Sequence, residues 1–174
     1  MTTFQLPTLE TKRLRMRQIT ANDLDLIYQL NQRAEVMRYI TGKTETLEEC
    51  KKALARYLSF PMKANLPVGM WVVYEKATNH YIGWHILKKL DETGELEVGY
   101  RLLPEFWGRG YATEGGKRLV EYAVQDLKID RIVGITHLEN DASGRVLQKI
   151  GLRLEQIGTF YNQTTKYYGM TIDR

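Results

Sequence analysis

The chain has 174 residues, 43% of them hydrophobic and 26% charged, with a formal net charge of +4 and a pI near 9.1. These values are expected of one globular domain spanning residues 1–174, long enough for a substantial core. The mild basic excess suits an anionic cofactor or an acidic partner and falls short of a nucleic-acid footprint, since no block of five like charges occurs. No apolar run approaches a membrane span and no signal-peptide core opens the chain; the lone Cys50 has no partner for an internal disulfide, so a cytoplasmic protein is the default expectation.

Residues 13–19 (RLRMRQI) alternate basic and apolar side chains, which predicts a strand with Leu14, Met16 and Gln18 on one face. Thr20 to Asp23 has the composition of a helix start, and Leu24, Ile27, Tyr28 and Leu30 supply the apolar face behind it. A short helical piece follows over residues 35–39 and is broken by Thr41-Gly42-Lys43. Thr46 and Glu49 form a capping box for a helix carrying Ala53, Leu54, Tyr57 and Leu58. Pro61 and Pro67 bracket an expected loop. Strands are then predicted at residues 70–75, 81–90 and 95–102, separated by turn residues, which reads as an antiparallel meander. A buried strand is expected at 131–137, a helix capped by Asn140 behind it, and a closing hairpin at 152–161 and 165–172. This order predicts a mixed, mostly antiparallel sheet of about six to seven strands flanked by about four helices, an α/β (α+β) architecture.

Residues 104–115 (PEFWGRGYATEG) join the strand at 95–102 to a helix marked by Leu119, Val120, Ala123 and Leu127. A strand, a glycine-rich turn and a helix N-terminus in that order make an anion site, because backbone N–H groups and the helix dipole converge there. Three phosphate-binding patterns compete for it. A P-loop fails because Gly116 stands where lysine is required after Gly110 and Gly115. A dinucleotide fingerprint fails because Thr113 occupies the third glycine position. The third pattern is the acyl-CoA loop Gln/Arg-x-x-Gly-x-Gly/Ala, which residues 107–112 match at Gly110 and Ala112, with Trp107 in first place.

The segment resembles the WGKGYATE signature of the RimJ/RimL-type branch of the GNAT acetyltransferases. Residues 9–17 (LETKRLRMR) resemble that branch's opening Thr-x-Arg-Leu-x-Leu-Arg, with Asp23 at the expected distance. Residues 140–152 (NDASGRVLQKIGL) resemble its Asn-x-x-Ser-x-Arg-Val-Leu-x-Lys-x-Gly-Phe, departing only in Leu152 for phenylalanine. The resemblance implies a GNAT fold, acetyl-CoA as cosubstrate, no metal and no nucleic acid or membrane partner. It further implies direct transfer of acetyl to a primary amine, most naturally a protein or peptide N-terminus. A polyamine, an amino acid or an antibiotic amine stays open as acceptor, as does a non-catalytic acyl-CoA-binding protein. A homodimer stays open too.

The same resemblance distributes roles along the chain. Trp107, Gly108, Arg109, Gly110, Tyr111, Ala112 and Thr113 would hold the pyrophosphate, mainly through main-chain N–H groups. The strand before the loop would splay open, so that Gly99, Tyr100, Arg101 and Leu102 pair with pantetheine as an added strand does. One N–H near Val98 to Tyr100 would polarise the thioester carbonyl. The tyrosine that many GNAT enzymes place four residues before the closing helix glycine is Leu147 here, so the proton donor to the leaving thiolate would be Ser143, with Asn140 capping the helix and touching the cosubstrate or a water. For the base, Glu97, Glu95 and a water chain remain open, since an α-ammonium with a pKa near 8 is partly neutral already. Tyr39 and residues 41–46 would border the acceptor. His80, His85 and His137 lack any ligand spacing, and of the adjacent Trp84 and His85, on opposite strand faces, one could line the acceptor pocket.

Overall fold

The computed structural model describes residues 4–174; the first three residues of the expected 1–174 domain lie outside it. Eight strands form one sheet in the order β1-β2-β3-β4-β5-β6-β8-β7. They are β1 (Leu9–Glu10), β2 (Leu14–Gln18), β3 (Met70–Glu75), β4 (Tyr81–Lys89), β5 (Leu96–Leu102), β6 (Arg131–His137), β7 (Arg153–Phe160) and β8 (Gln163–Thr171). The sheet thus has one strand more than the top of the expected range. The addition is β1, too short for a periodic signal, which pairs Leu9 with Met16 at the sheet edge. Every neighbouring pair is antiparallel except β5 and β6, and the expected meander of β3, β4 and β5 is present.

Helices α1 (Leu24–Asn31), α3 (Leu47–Leu58), α5 (Tyr111–Glu121) and α6 (Asp141–Lys149) account for the four expected ones, α2 (Ala34–Met37) is the short helical piece expected at 35–39, and α4 (Phe60–Ala64) is a short addition. Where Pro61 suggested a loop, α4 forms, because proline is tolerated in a first turn whose N–H has no helical acceptor. Thr46 caps α3 in the full capping box. Asp23 precedes α1 without capping it: its carboxylate instead takes both Nη atoms of Arg17 at 2.9 Å and the Thr20 N–H at 2.7 Å.

Strand alternation sorts the core into two layers. On β3, Met70 and Val72 pack with Ile27, Leu30, Leu54 and Tyr57 from the α1–α3 side. Trp71 and Val73 face the other way, joining Leu14, Met16, Leu119, Ile132 and Leu147 under α5 and α6. Helices therefore cover both faces, and each layer buries side chains worth roughly 1.5–3 kcal/mol apiece in apolar transfer.

The crossover from β5 through α5 to β6 sets the site. The two strands pair only at Leu96↔Ile132 and Glu97↔Val133, although β5 runs on to Leu102 and β6 to His137. Beyond those two pairs the strands diverge. Both remain fully paired on their outer edges, β5 to β4 and β6 to β8. The sheet thus opens at its centre, and α5 and α6 begin at the open end.

Candidate active site

The turn into α5 is built by glycine. Gly108 and Gly110 adopt φ of +72° and +82°, a region where a side chain is strained, and Gly110 is the N-cap with no side chain to satisfy the first turn. The Gly110 carbonyl accepts from Glu114 N–H, so the N–H groups of Tyr111, Ala112 and Thr113 have no acceptor within the helix. Trp107, Gly108, Gly110, Tyr111, Ala112 and Thr113 line a cavity of about 870 Å³, together with Asn140, Ser143, Arg145 and Lys149 of the α6 side. Arg109 of the expected set does not line it: its guanidinium lies 5.3 Å over the Phe106 ring.

The turn is held from outside by residues whose part in the site the sequence motif alone did not disclose. Glu114 accepts from Thr11 Oγ1 at 2.5 Å, Arg13 N at 3.1 Å and Arg13 Nε at 2.8 Å. Arg13 Nη1 also donates to the Arg109 carbonyl at 3.0 Å, and its guanidinium sits 4.2 Å over the Tyr111 ring. Burial pushes the Glu114 carboxyl up, but these hydrogen bonds outweigh it and hold the pKa below the ordinary value. On the other side the Trp107 indole donates to the Leu102 carbonyl at 2.8 Å, fastening the turn to the end of β5. Leu102, expected among the main-chain partners of the cosubstrate, lines the same cavity, but its carbonyl is engaged by the protein itself.

A second cavity of about 730 Å³ is lined by Val98, Gly99, Tyr100, Glu97, Lys88, Trp84, Tyr57, Phe60 and Tyr161. Tyr39, Ile40, Tyr100, Arg101, Thr136, His137 and Ser143 line both cavities, so the two meet where β5 and β6 part. Ser143 lies at that junction. Its Oγ takes a hydrogen bond from Asn140 Nδ2 at 3.1 Å and shares one with the Tyr100 hydroxyl at 3.0 Å. The Asn140 Oδ1 accepts from Ser143 N at 3.2 Å, so both polar atoms of the cap serve this serine. Burial raises the Tyr100 pKa despite the Ser143 bond, which keeps the phenol protonated. Sequence reading placed Tyr100 here for its backbone; the structure adds its hydroxyl.

The two candidate carboxylates separate clearly. Glu97, 8% exposed, accepts from the Tyr161 hydroxyl and lies 3.3 Å from Lys88 Nζ, inside the second cavity. Glu95 accepts from the Tyr167 hydroxyl and from Arg131 Nε at 2.7 Å, and lines neither cavity. Burial opposes ionisation of Glu95, but those two bonds win and lower its pKa. The pair on β4 divides as alternation predicts. Trp84 lines the second cavity, whereas His85 is fully buried under the first turn of α5, with Nε2 3.0 Å from the Ala112 carbonyl. A Cβ on Gly115 would approach that imidazole to 2.5 Å, so this glycine makes room for the histidine.

Several buried polar atoms around the junction lack a protein partner: Trp84 Nε1, Arg101 Nε and Thr136 Oγ1. Buried polar groups are ordinarily satisfied, so these mark a place for solvent or ligand. Among the described residues no cluster of three or more His, Cys, Asp or Glu is placed to hold a metal ion, and no helix is long and apolar enough to cross a membrane.

An opened parallel pair beside glycine-built helix N–H groups, with a second cavity meeting it, suits an acyl thioester in one arm and an acceptor in the other. Residues 13–153 match the Acetyltransferase (GNAT) domain family, and the chain belongs to that family. It is an acyltransferase that depends on acetyl-CoA, as members of that family are. It is 32% identical over 155 residues to N-acetyltransferase YoaA of Bacillus subtilis, covering 87% of this chain and 85% of that one. Its fold is similar to ribosomal-protein-S5-alanine acetyltransferase from Vibrio fischeri, with a TM-score of 0.75 at 20% identity over 95% of this chain and 96% of the other. It is also similar to spermidine N-acetyltransferase from Vibrio cholerae, solved in complex with CoA and spermine, with a TM-score of 0.73 at 20% identity over 92% and 96%. One fold thus serves a ribosomal protein in one neighbour and a polyamine in another, so the fold leaves the acceptor open.

Proposed function

We propose that this acetyltransferase acts on the N-terminal amine of a protein or peptide, by direct transfer within a ternary complex. The observation that carries the transfer reading is the junction at Ser143 and Tyr100, reached from a cofactor-sized cavity on one side and a distinct acceptor cavity on the other, while the N-terminal acceptor rests on the RimJ/RimL resemblance. When bound, acetyl-CoA supplies the acetyl group as a thioester. The first-turn N–H groups of Tyr111, Ala112 and Thr113 take the pyrophosphate, with Arg145 and Lys149 of α6 adding positive charge to the same cavity. The unpaired edge of β5 from Val98 to Arg101 takes the pantetheine arm, and a β5 N–H polarises the carbonyl.

The acceptor cavity brings the amine to that carbonyl. The N–C bond forms as the C–S bond breaks, and the ammonium proton passes to Glu97 directly or through water. Ser143 gives its proton to the departing sulfur, with Asn140 and Tyr100 stabilising the negative charge that develops on Oγ, and Oγ is reprotonated through water by the second proton that the attacking nitrogen loses as the amide forms. Glu95, bound to Arg131 and Tyr167 outside both cavities, has no part in this.

Release of free thiol from acetyl-CoA, measured with N-terminal peptides, spermidine, free amino acids and an aminoglycoside as acceptors, tests the reading. Peptides acetylated at the α-amine with the highest kcat/KM are expected. Turnover confined to spermidine or the aminoglycoside would overturn it.

A further inference from the structure

The acceptor cavity carries a charge imbalance that fold and family leave undetermined. Arg56, Lys63, Lys88, Lys89 and Arg101 line it, against only two carboxylates, Asp91 and Glu97. Lys88 is matched by Glu97 at 3.3 Å. Among the described residues, no carboxylate lies within 4.0 Å of Arg56, Lys63, Lys89 or Arg101. Arg101 stands at the inner end, where the two cavities meet. Its Nη1 donates to neutral partners only, Asn31 Oδ1 at 2.6 Å and Met37 Sδ at 3.6 Å, and its Nε is buried without a partner. Aromatic rings brace two of these cations: Trp84 lies 4.9 Å from the Arg101 guanidinium, and Tyr57 lies 5.4 Å from that of Arg56.

A half-buried guanidinium held on neutral groups, with its Nε N–H buried and unpartnered, is stabilised when an anion reaches it. A polycation entering this cavity would meet like charge on most sides. We infer that the acceptor is a primary amine bearing carboxylates close to the reacting nitrogen, either as acidic side chains following a peptide N-terminus or as a small acidic amine. The unpaired Arg101 takes the carboxylate nearest the amine, and Arg56 and Lys63, from α3 and α4, take those nearer the mouth. The inference rests on the amine-acetyltransferase reading above and names the chemistry its acceptor carries.

Initial rates test it with three peptides of equal length that share the first residue and differ in the next three: acidic, their amides, or lysine. Free glutamate and spermidine complete the panel. Each partly exposed ion pair is worth roughly two- to fivefold, so two or three predict about a tenfold higher kcat/KM for the acidic peptide over its amide counterpart. The advantage shrinks as salt screens the exposed members. In the double variant Arg56→Glu, Lys63→Glu the ratio of acidic to amide peptide falls towards one or below it. Glutamate outpacing every peptide supports the carboxylate requirement and assigns it to a small molecule. Equal rates for acidic and amide peptides overturn the inference alone; spermidine as the best acceptor overturns it together with the peptide-acceptor reading, amine transfer itself standing. No thiol release with any amine overturns the transfer reading and this inference together.

Discussion

Replacing Ser143 by alanine removes the oxygen on which the proposed proton transfer depends. Two groups converge on that oxygen, Asn140 Nδ2 at 3.1 Å and the Tyr100 hydroxyl at 3.0 Å, while its own proton can point into the cleft. Positioned general acids contribute about 10²- to 10⁴-fold. The departing thiol is a moderately good leaving group, with a pKa near that of a free cysteine at about 8.5, so the demand for protonation is at the low end. Ser143→Ala should therefore lower kcat by about 10²-fold, equivalent to about 2.7 kcal/mol, with KM for acetyl-CoA within about threefold of the parent. Tyr100→Phe keeps the serine and its Asn140 bond, and should cost about tenfold, since one neutral hydrogen bond to the reacting oxygen is worth roughly 1–1.5 kcal/mol. The assay is single-turnover thiol release at saturating acetyl-CoA, with thermal unfolding as a folding control. A Ser143→Ala enzyme that retains kcat within about threefold, or whose entire loss lies in KM, would refute the assignment.

The remaining predictions probe the scaffold. Burial drives the His85 imidazole down to about 4, below an unfolded value near 6.5. The folded state thus excludes a proton that the unfolded chain binds. Its contribution is full above pH 6.5 and is lost as pH falls towards 4, by roughly 3 kcal/mol in all. Urea titrations across that window should show a steeper loss for the parent than for His85→Gln, and parallel curves would contradict the burial argument. Gly115→Ala places a methyl 2.5 Å from the same ring and should destabilise by about 1–3 kcal/mol. The double variant with His85→Ala should recover part of that loss, and an additive double would show that the ring is not the obstacle. Arg13→Ala frees Glu114 and loosens the α5 turn, while Arg13 itself lines neither cavity. It should raise KM for acetyl-CoA by about tenfold with kcat changed little, and the reverse split would place Arg13 in the chemistry.

Much of the fold was legible because strand alternation and helical spacing are local signals. Leu14 and Met16 share one face of β2 as their period requires, and Thr46 with Glu49 caps α3 as the motif specifies. Elements without a period escaped: β1 has two residues, and α4 hides a proline in its first turn, where proline costs nothing. The glycine turn was readable because a positive φ demands glycine, and Gly108 and Gly110 supply it. Partners distant in sequence were not. Glu114 sits inside the recognised loop motif, yet its bonds to Thr11 and Arg13 span about a hundred residues, and no spacing rule joins them. The hydroxyl of Tyr100 was missed for a related reason: it meets Ser143 only because β5 and α6 converge at the opened sheet. The choice between Glu95 and Glu97 also required the fold, since both lie near the start of one strand and only their packed neighbours distinguish them.

The central claim is that the opened β5–β6 pair and the α5 turn together hold acetyl-CoA. Calorimetric titration of the parent and of Gly110→Val tests it directly, with ATP and NAD as controls. One acetyl-CoA per chain, no comparable heat from either nucleotide, and binding weakened at least about tenfold in the variant, whose valine is strained at φ +82°, is the predicted result. No binding at millimolar acetyl-CoA, or equal binding of ATP, would contradict the account.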